Sequence, residues 1–347
     1  MRRLAPLAAV VLLVAIGGAA AAQDRLPALA ADLRELTASG VSSGGYMAVQ
    51  LHVAHARSVR GVGVLAAGPY FCAQGSVATA YYNCMTPSRW TPLPSVEALR
   101  AHAAGFARAG LIDPLESLAS ARVWLFSGTN DRTVDAAVVE AARRFYTLAG
   151  VTPGAVALIG DRPAGHGMVT ERDGSACALT APPFIVDCDF DAAGELLAHL
   201  LGRLEPAAPR EFGRIVRFDQ REHAGGDAYA ISMADAGYLY LPRGCEAGGC
   251  RIHVVFHGCR QSAEAIGERF VRGAGYNRWA DSNRLLVLYP QTIARNGWGV
   301  AGGRWSFVFN PRGCWDWWGY TGAQYATRLA PQIRAVKSMV DRLAAPR

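Results

Sequence analysis

Ser42 lies within Gly40-Val41-Ser42-Ser43-Gly44. This is the Gly-x-Ser-x-Gly spacing of a nucleophile elbow, a sharp strand-to-helix turn that lifts a serine hydroxyl into reach of substrate. A serine hydroxyl is a poor nucleophile unaided. It needs a base to remove its proton and a third group to orient that base. His166, in the glycine-flanked run "AGHGM", is the candidate base, and Asp131, in "SGTNDRTV", is the candidate acid. Their chain order, Ser…Asp…His, is that of the α/β-hydrolase triad. With 38 glycines among 347 residues, chance supplies about 0.2 such serine motifs, so the partners carry more weight than the motif. Asp131 also has a purely structural reading, as a cap for a helix starting near Thr133. Among the other histidines, His52 and His55 fall on the helix expected after Ser42 and His253 on a strand, while His102, His199 and His223 sit in no motif.

Acyl transfer also requires donors for the oxyanion, each worth roughly 3–4 kcal/mol. The Ser43 amide supplies one. The loop in "HVVFHGCRQS" should supply the other through Cys259. Cys259 as a nucleophile is the weaker alternative, because no base and acid accompany it. The eight cysteines are Cys72, Cys84, Cys177, Cys188, Cys245, Cys250, Cys259 and Cys314. An even number in an exported chain reads as disulfides, although eight cysteines allow 105 pairings. Spacing makes Cys72–Cys84, Cys177–Cys188 and Cys245–Cys250 plausible local staples, leaving Cys259–Cys314. No Cys-x-x-Cys pair or finger-spaced histidine suggests a metal, and the chemistry calls for no cofactor. Six of the eight tryptophans (Trp279, Trp298, Trp305, Trp315, Trp317 and Trp318) crowd the last quarter. About half should pack internally, and the rest suggest an apolar contact surface.

The elements that must position these groups alternate. A strand precedes Ser42 and a helix follows it; then come a strand in "RGVGVLAAGPY", a helix over 95–109, the strand before Asp131, a helix over 135–149 and a strand in "GAVALIG". This alternation predicts a parallel sheet covered by helices. After a Pro-rich linker-like segment, "EPAAPREFGR", strands are expected over 214–218 and 229–241, then in "RIHVVF" and "RLLVLY", with helices near 276–283 and 320–343. In an α/β-hydrolase the oxyanion strand, a helix, another strand and another helix come before the nucleophile strand. Here they come after it. Joining the two ends restores the usual order, so the expected fold is a circularly permuted α/β-hydrolase with a mostly parallel central sheet flanked by helices. Domain termini often lie close enough for such a rearrangement.

Composition agrees with an ordinary soluble chain, 51% apolar and 18% charged. The first 22 residues combine Arg2 and Arg3, an apolar stretch over 7–16 and a run of alanines, the pattern of a cleaved secretory signal. Residues 23–347 are then expected to form a single catalytic domain. The formal charge of +7 falls by those two arginines to +5. The remaining basic residues are scattered, with Lys337 the sole lysine, so nothing points to nucleic acid. No later segment is long and apolar enough to span a bilayer.

The motifs "GVSSGGYM", "SGTNDRTV", "AGHGM", "VVFHGCRQS", "YPQT" and "NPRGCWDWWGY", in this order, resemble those of the secreted polyhydroxybutyrate depolymerases with a permuted (type 2) catalytic domain. The resemblance covers most of the chain. It implies hydrolysis of short-chain poly(3-hydroxyalkanoate) esters or their oligomers, with Ser42 as nucleophile, Asp131 as orienting acid and His166 as base. It further implies an oxyanion hole of the Ser43 and Cys259 amides, and Trp315 or Trp317 at the substrate crevice. Many such enzymes append a linker and a polymer-binding domain; neither follows here, so adsorption is expected to fall to the catalytic domain. The expected partner is a polyester or oligoester, with no nucleic acid, no stable membrane association and a monomeric state, outside the cell or in the periplasm. Two alternatives remain: a feruloyl or acetyl-xylan type esterase, and a catalytically dead hydrolase-fold binding protein.

Overall fold

The computed structural model describes residues 24–301 and 303–347. The expected signal sequence, residues 1–22, lies outside them. Strand β1 (Asp32–Val41) runs into helix α1 (Ser43–Ala54) with Ser42 alone between them. Then come β2 (Val59–Leu65), α2 (Val77–Cys84), α3 (Val96–Arg108), β3 (Arg122–Phe126), α4 (Ala136–Leu148) and β4 (Val156–Ile159). A small sheet of β5 (Met168–Thr170), β6 (Ser175–Ala176) and β7 (Ile185–Asp187) leads to α5 (Ala192–Leu201). The second half supplies β8 (Arg214–Asp219), β9 (Ala236–Leu241) and β10 (Arg251–Phe256). Short helices α6 (Ala263–Ile266) and α7 (Arg269–Gly273), then α8 (Tyr276–Asn283), lead to β11 (Leu285–Tyr289). A hairpin of β12 (Arg295–Ala301) and β13 (Arg304–Asn310) and a terminal helix α9 (Pro331–Ala344) complete the order.

Eight strands form one sheet in the order β4-β3-β2-β1-β10-β11-β9-β8. Only β9 runs against the rest. Neither half of the chain has a large sheet of its own, because β1 from the first half pairs in parallel with β10 from the second. The last six residues of β1 are buried, as a central parallel strand covered on both faces must be. Helix α1 is buried around its whole circumference, which suits its nearly unbroken run of small and apolar residues.

The circular permutation is visible at the seam. Leu29 and Ala31 N–H both donate to Leu343 O, at 3.1 and 3.0 Å, and Ala30 N–H donates to Ala345 O at 3.0 Å. The end of α9 thus rests on the segment that feeds β1, as the restored strand order requires. Register then sets the site. Gly40 lies level with Phe256 and Val64, and Phe126 with Leu65 and Ile159. The loops after β1, β3, β4 and β10 therefore emerge at one sheet edge, where open α/β sheets bind ligands.

Two expected elements are shorter than their sequence pattern suggests. Helix α9 begins at Pro331 rather than near residue 320, since proline fits the first helical turn and disfavours helix in the residue before it. Tyr229–Ile231 is a 3-10 turn, with strand resuming only at Ala236. Disulfides join Cys72–Cys84, Cys177–Cys188, Cys245–Cys250 and Cys259–Cys314, leaving no described cysteine free.

Candidate active site

Ser42 has φ 57° and ψ −124°, a conformation that costs a non-glycine residue roughly 1–3 kcal/mol. Its surroundings enforce the turn: Ser42 N–H donates to Leu65 O at 2.8 Å, and Ser42 O accepts from Tyr46 N–H at 3.1 Å. Glycines on either side permit the close packing. A Cβ at Gly40 would stand 2.3 Å from Gly44 O, and one at Gly44 would stand 2.3 Å from Phe256 O. The first turn of α1 is thereby seated against the end of β10.

The loop after β3 carries Asp131 and the loop after β4 carries His166. Asp131 Oδ1 accepts from the N–H groups of Thr133 (2.8 Å) and Val134 (3.0 Å), and Oδ2 accepts from His166 Nδ1 at 2.8 Å. Both side chains are largely buried, 2% exposed for Asp131 and 10% for His166. Asp131 is not the cap of the following helix; Asp135 is, accepting from Ala137 N–H at 2.8 Å. Thr180 Oγ1 accepts from the His166 N–H at 2.9 Å, and Asn130 Nδ2 donates to Pro163 O at 2.8 Å. The loops that carry Asp131 and His166 are therefore laced together. Holding Nδ1–H on the carboxylate leaves Nε2 as the proton acceptor, and His166 and Ser42 line one cleft of about 280 Å³.

The remaining buried histidines are differently placed. Burial lowers His52 and His253 to about 3 and His257 to about 4, so all three are neutral near pH 7. His253 bonds Thr37 and Ser39, and His52 bonds Tyr146; neither meets a carboxylate.

The loop after β10 closes over the elbow. A Cβ built on Gly258 would lie 3.4 Å from Ser42 Cβ and 3.3 Å from Val41 O, so residues more than two hundred positions apart in sequence are in contact. Gln261 Oε1 accepts from Gly258 N–H at 2.7 Å while its Nε2 donates to Phe184 O at 2.8 Å. His257 Nε2 accepts from Thr292 N–H at 3.2 Å, which puts the ring proton on Nδ1 to donate to Gly258 O at 2.7 Å. That carbonyl belongs to the peptide whose N–H is that of Cys259, so the ring fixes that amide's direction. The Cys259 sulfur is bonded to Cys314 and cannot be a thiolate. On the other side, Ser43 Oγ accepts from Trp315 N–H at 3.3 Å.

The tryptophans divide differently from the sequence expectation. Trp315 is fully buried, edge-on to Phe256 at 4.9 Å, so its ring cannot touch substrate. Trp317 stacks on Tyr46 at 4.0 Å and lines an apolar groove of about 290 Å³ with Tyr81, Phe309 and Trp318. The groove meets the Ser42 cleft at Met85, Cys259 and Arg312. Of the six late tryptophans, those that face solvent are on the β12–β13 hairpin, Trp298 and Trp305, 69% and 71% exposed, beside exposed Phe307 and Phe309; Trp90, before α3, is exposed as well. Sequence reasoning missed this hairpin, and it missed Gln261 and Thr180 as supports. The alternation of Trp305, Phe307 and Phe309 was the available signal.

Among the described residues no group of three or more His, Cys, Asp or Glu could hold a metal ion, and no helix is long and apolar enough to cross a membrane.

No family model matches the chain. A polyhydroxybutyrate depolymerase from Talaromyces funiculosus is 33% identical over 356 residues, covering 95% of this chain and 96% of its own length. The chain belongs to the polyhydroxybutyrate depolymerase family. A poly(3-hydroxybutyrate) depolymerase from Delftia acidovorans is 40% identical across 98% of this chain, which spans 66% of that relative's length. Two solved depolymerases superpose on 92% of this chain at 31% identity. One is the Penicillium funiculosum enzyme, with a TM-score of 0.83, and the other is a complex with an R3HB trimer, with a TM-score of 0.82.

Proposed function

We propose that this chain is a secreted serine esterase hydrolysing the ester bonds of poly(3-hydroxybutyrate), related short-chain polyhydroxyalkanoates and their oligomers, with residues 23–347 acting as one catalytic domain. The observation that carries the proposal is the Asp131–His166 pair opening on the same cleft as the strained Ser42, beneath the Gly258–Cys259 loop. Family membership and the R3HB trimer held by a solved relative support the substrate class. The four disulfides support an exported protein.

In the proposed mechanism His166 Nε2 takes the Ser42 hydroxyl proton as Oγ attacks the ester carbonyl. Asp131 holds the imidazolium that results. The amides of Ser43 and Cys259 receive the charge on the carbonyl oxygen, a task backbone donors perform without reorganising. Collapse of the tetrahedral intermediate breaks the ester C–O bond, and His166 returns its proton to the departing alcohol. Water, deprotonated by the same nitrogen, then attacks the acyl-Ser42 ester, releasing the acid and restoring the serine. Burial of the Asp131 side chain keeps its charge on His166 rather than in solvent.

The test is release of soluble 3-hydroxybutyrate and its oligomers from a poly(3-hydroxybutyrate) film, run beside ferulate release from arabinoxylan. Film hydrolysis that disappears in Ser42→Ala is expected. Ferulate release without film hydrolysis would reassign the substrate, and full activity in Ser42→Ala would reject the mechanism.

A further inference from the structure

Among the described residues, the cleft holding Ser42 and His166 is lined by no carboxylate, and its only permanently charged side chains are Arg260 and Arg312, both exposed at its rim. Many arginines elsewhere rest on acids, as Arg143 does on Glu140, Arg221 on Asp219 and Arg328 on Asp113. Among the described residues neither Arg260 nor Arg312 has a side-chain partner. Their backbones are nonetheless fixed to each other. Arg260 N–H donates to Arg312 O at 2.7 Å, and the Cys259–Cys314 disulfide lies alongside with a Cα–Cα distance of 4.2 Å. Arg260 is held at φ 62°, an unfavourable conformation of the kind found at ligand clamps. Two positive side chains thus share one rim of the cleft with no acid opposite them.

The substrate's own chemistry supplies such an anion. A hydroxyacid oligomer ends in a carboxylate carried by the unit whose hydroxyl is esterified. For every ester bond in the chain, the terminal carboxylate therefore lies on the leaving-alcohol side. Interior segments of a long polymer carry no charge. A planar guanidinium matches a carboxylate in shape and stays charged at every working pH.

We propose that Arg260 and Arg312 form an anion site that binds the terminal carboxylate of hydroxyacid oligomers at the mouth of the catalytic cleft. The site rests on the reading of Ser42 as nucleophile and adds a preference to it: chains ending in a free acid are drawn to the cleft ahead of neutral ones. Arg312 also lines the apolar groove beside the cleft, so charge and apolar contact act at the same junction.

The experiment compares the 3-hydroxybutyrate trimer as free acid and as methyl ester, at pH 8 in low and high salt. The expected kcat/KM ratio, acid over ester, is about tenfold at low salt and falls as salt screens the arginines. In the Arg260→Gln/Arg312→Gln double variant the ratio should approach one, with far greater loss on the acid than on the methyl ester. Arg312→Gln alone, at a position with ordinary backbone, should lower the ratio part of the way and guards against misfolding of the double variant. A wild-type ratio near one, or equal loss on both substrates in both variants, would overturn the proposal. Methyl ester hydrolysis that survives Ser42→Ala would instead indict the nucleophile, leaving the acid-to-ester ratio as a separate reading.

Discussion

Replacing Asp131 by Asn changes one terminal atom and should abolish most of the activity while leaving the fold intact. The structure dictates how the new amide must sit. Thr133 and Val134 N–H, at 2.8 and 3.0 Å from Oδ1, both need an acceptor, so the amide oxygen takes that position. The NH2 group then faces His166 Nδ1, where Oδ2 now accepts at 2.8 Å. Two donors cannot share that contact. His166 must carry its proton on Nε2 and so cannot accept one from Ser42. The same tautomer error in other Ser-His-Asp triads removes about 10⁴-fold in kcat, or about 5 kcal/mol of barrier, and a loss of that size is expected here. KM should move less than about threefold, because no substrate contact is altered. The assay is p-nitrophenyl butyrate hydrolysis with a thermal melt on the same sample. Asp131→Asn should keep its Tm within about 2 °C. Asp131→Ala, which leaves two backbone donors unpaired, should lose roughly 1–3 kcal/mol for each. An Asn variant that keeps more than about a tenth of wild-type kcat would refute the orienting role.

Removing the Cys259–Cys314 bridge by double serine substitution frees a loop of 55 residues. It should cost about 4 kcal/mol of stability, seen as a lower Tm, along with a fall in kcat because the Cys259 amide is no longer anchored. An unchanged kcat would show that His257 and Gln261 suffice to aim it. Trp298→Ser with Trp305→Ser should cut adsorption to polyester film about tenfold or more, given the aromatic area removed, while p-nitrophenyl butyrate turnover holds; equal adsorption would deny the hairpin this role. Acid should destabilise the fold through its buried histidines. His52, His253 and His257 are depressed by burial to about 3, 3 and 4, against an unfolded value near 6.5. The unfolded chain binds more protons between those limits, so stability is full above about pH 6.5 and falls as pH drops toward 4. A Tm unchanged between pH 7.5 and 4.5 would contradict neutral burial of these rings.

Much of this arrangement was legible in the sequence because it depends on order. The permutation follows from where the oxyanion-type strand and its successors stand relative to the elbow, and strands such as Leu285–Tyr289 announce themselves by continuous apolar runs. The Gly-x-Ser-x-Gly spacing marks Ser42 because only glycine tolerates contacts as short as those at Gly40 and Gly44. What depends on tertiary contact was not legible. Trp315 and Trp317 are two residues apart in a loop, and their orientation comes from Phe256 and Tyr46, far away in sequence. The stretch before α9 has helix-compatible residues, yet Asp316 accepts from the N–H groups of Gly319, Tyr320 and Thr321 and turns the chain instead. Gln261 is unremarkable in sequence and matters because its two ends reach two different loops.

The central position of β1 sets a timetable for assembly. Ser42 follows it directly, but one edge of the strand pairs with Arg251–Phe256, made more than two hundred residues later. Until then a buried-type strand has an open edge, the feature most prone to joining other chains. The same delay means that the Gly258 loop reaches Ser42 only when most of the chain exists. The elbow is made well before the loop that completes it, so a partly made chain carries the serine without the loop that closes over it.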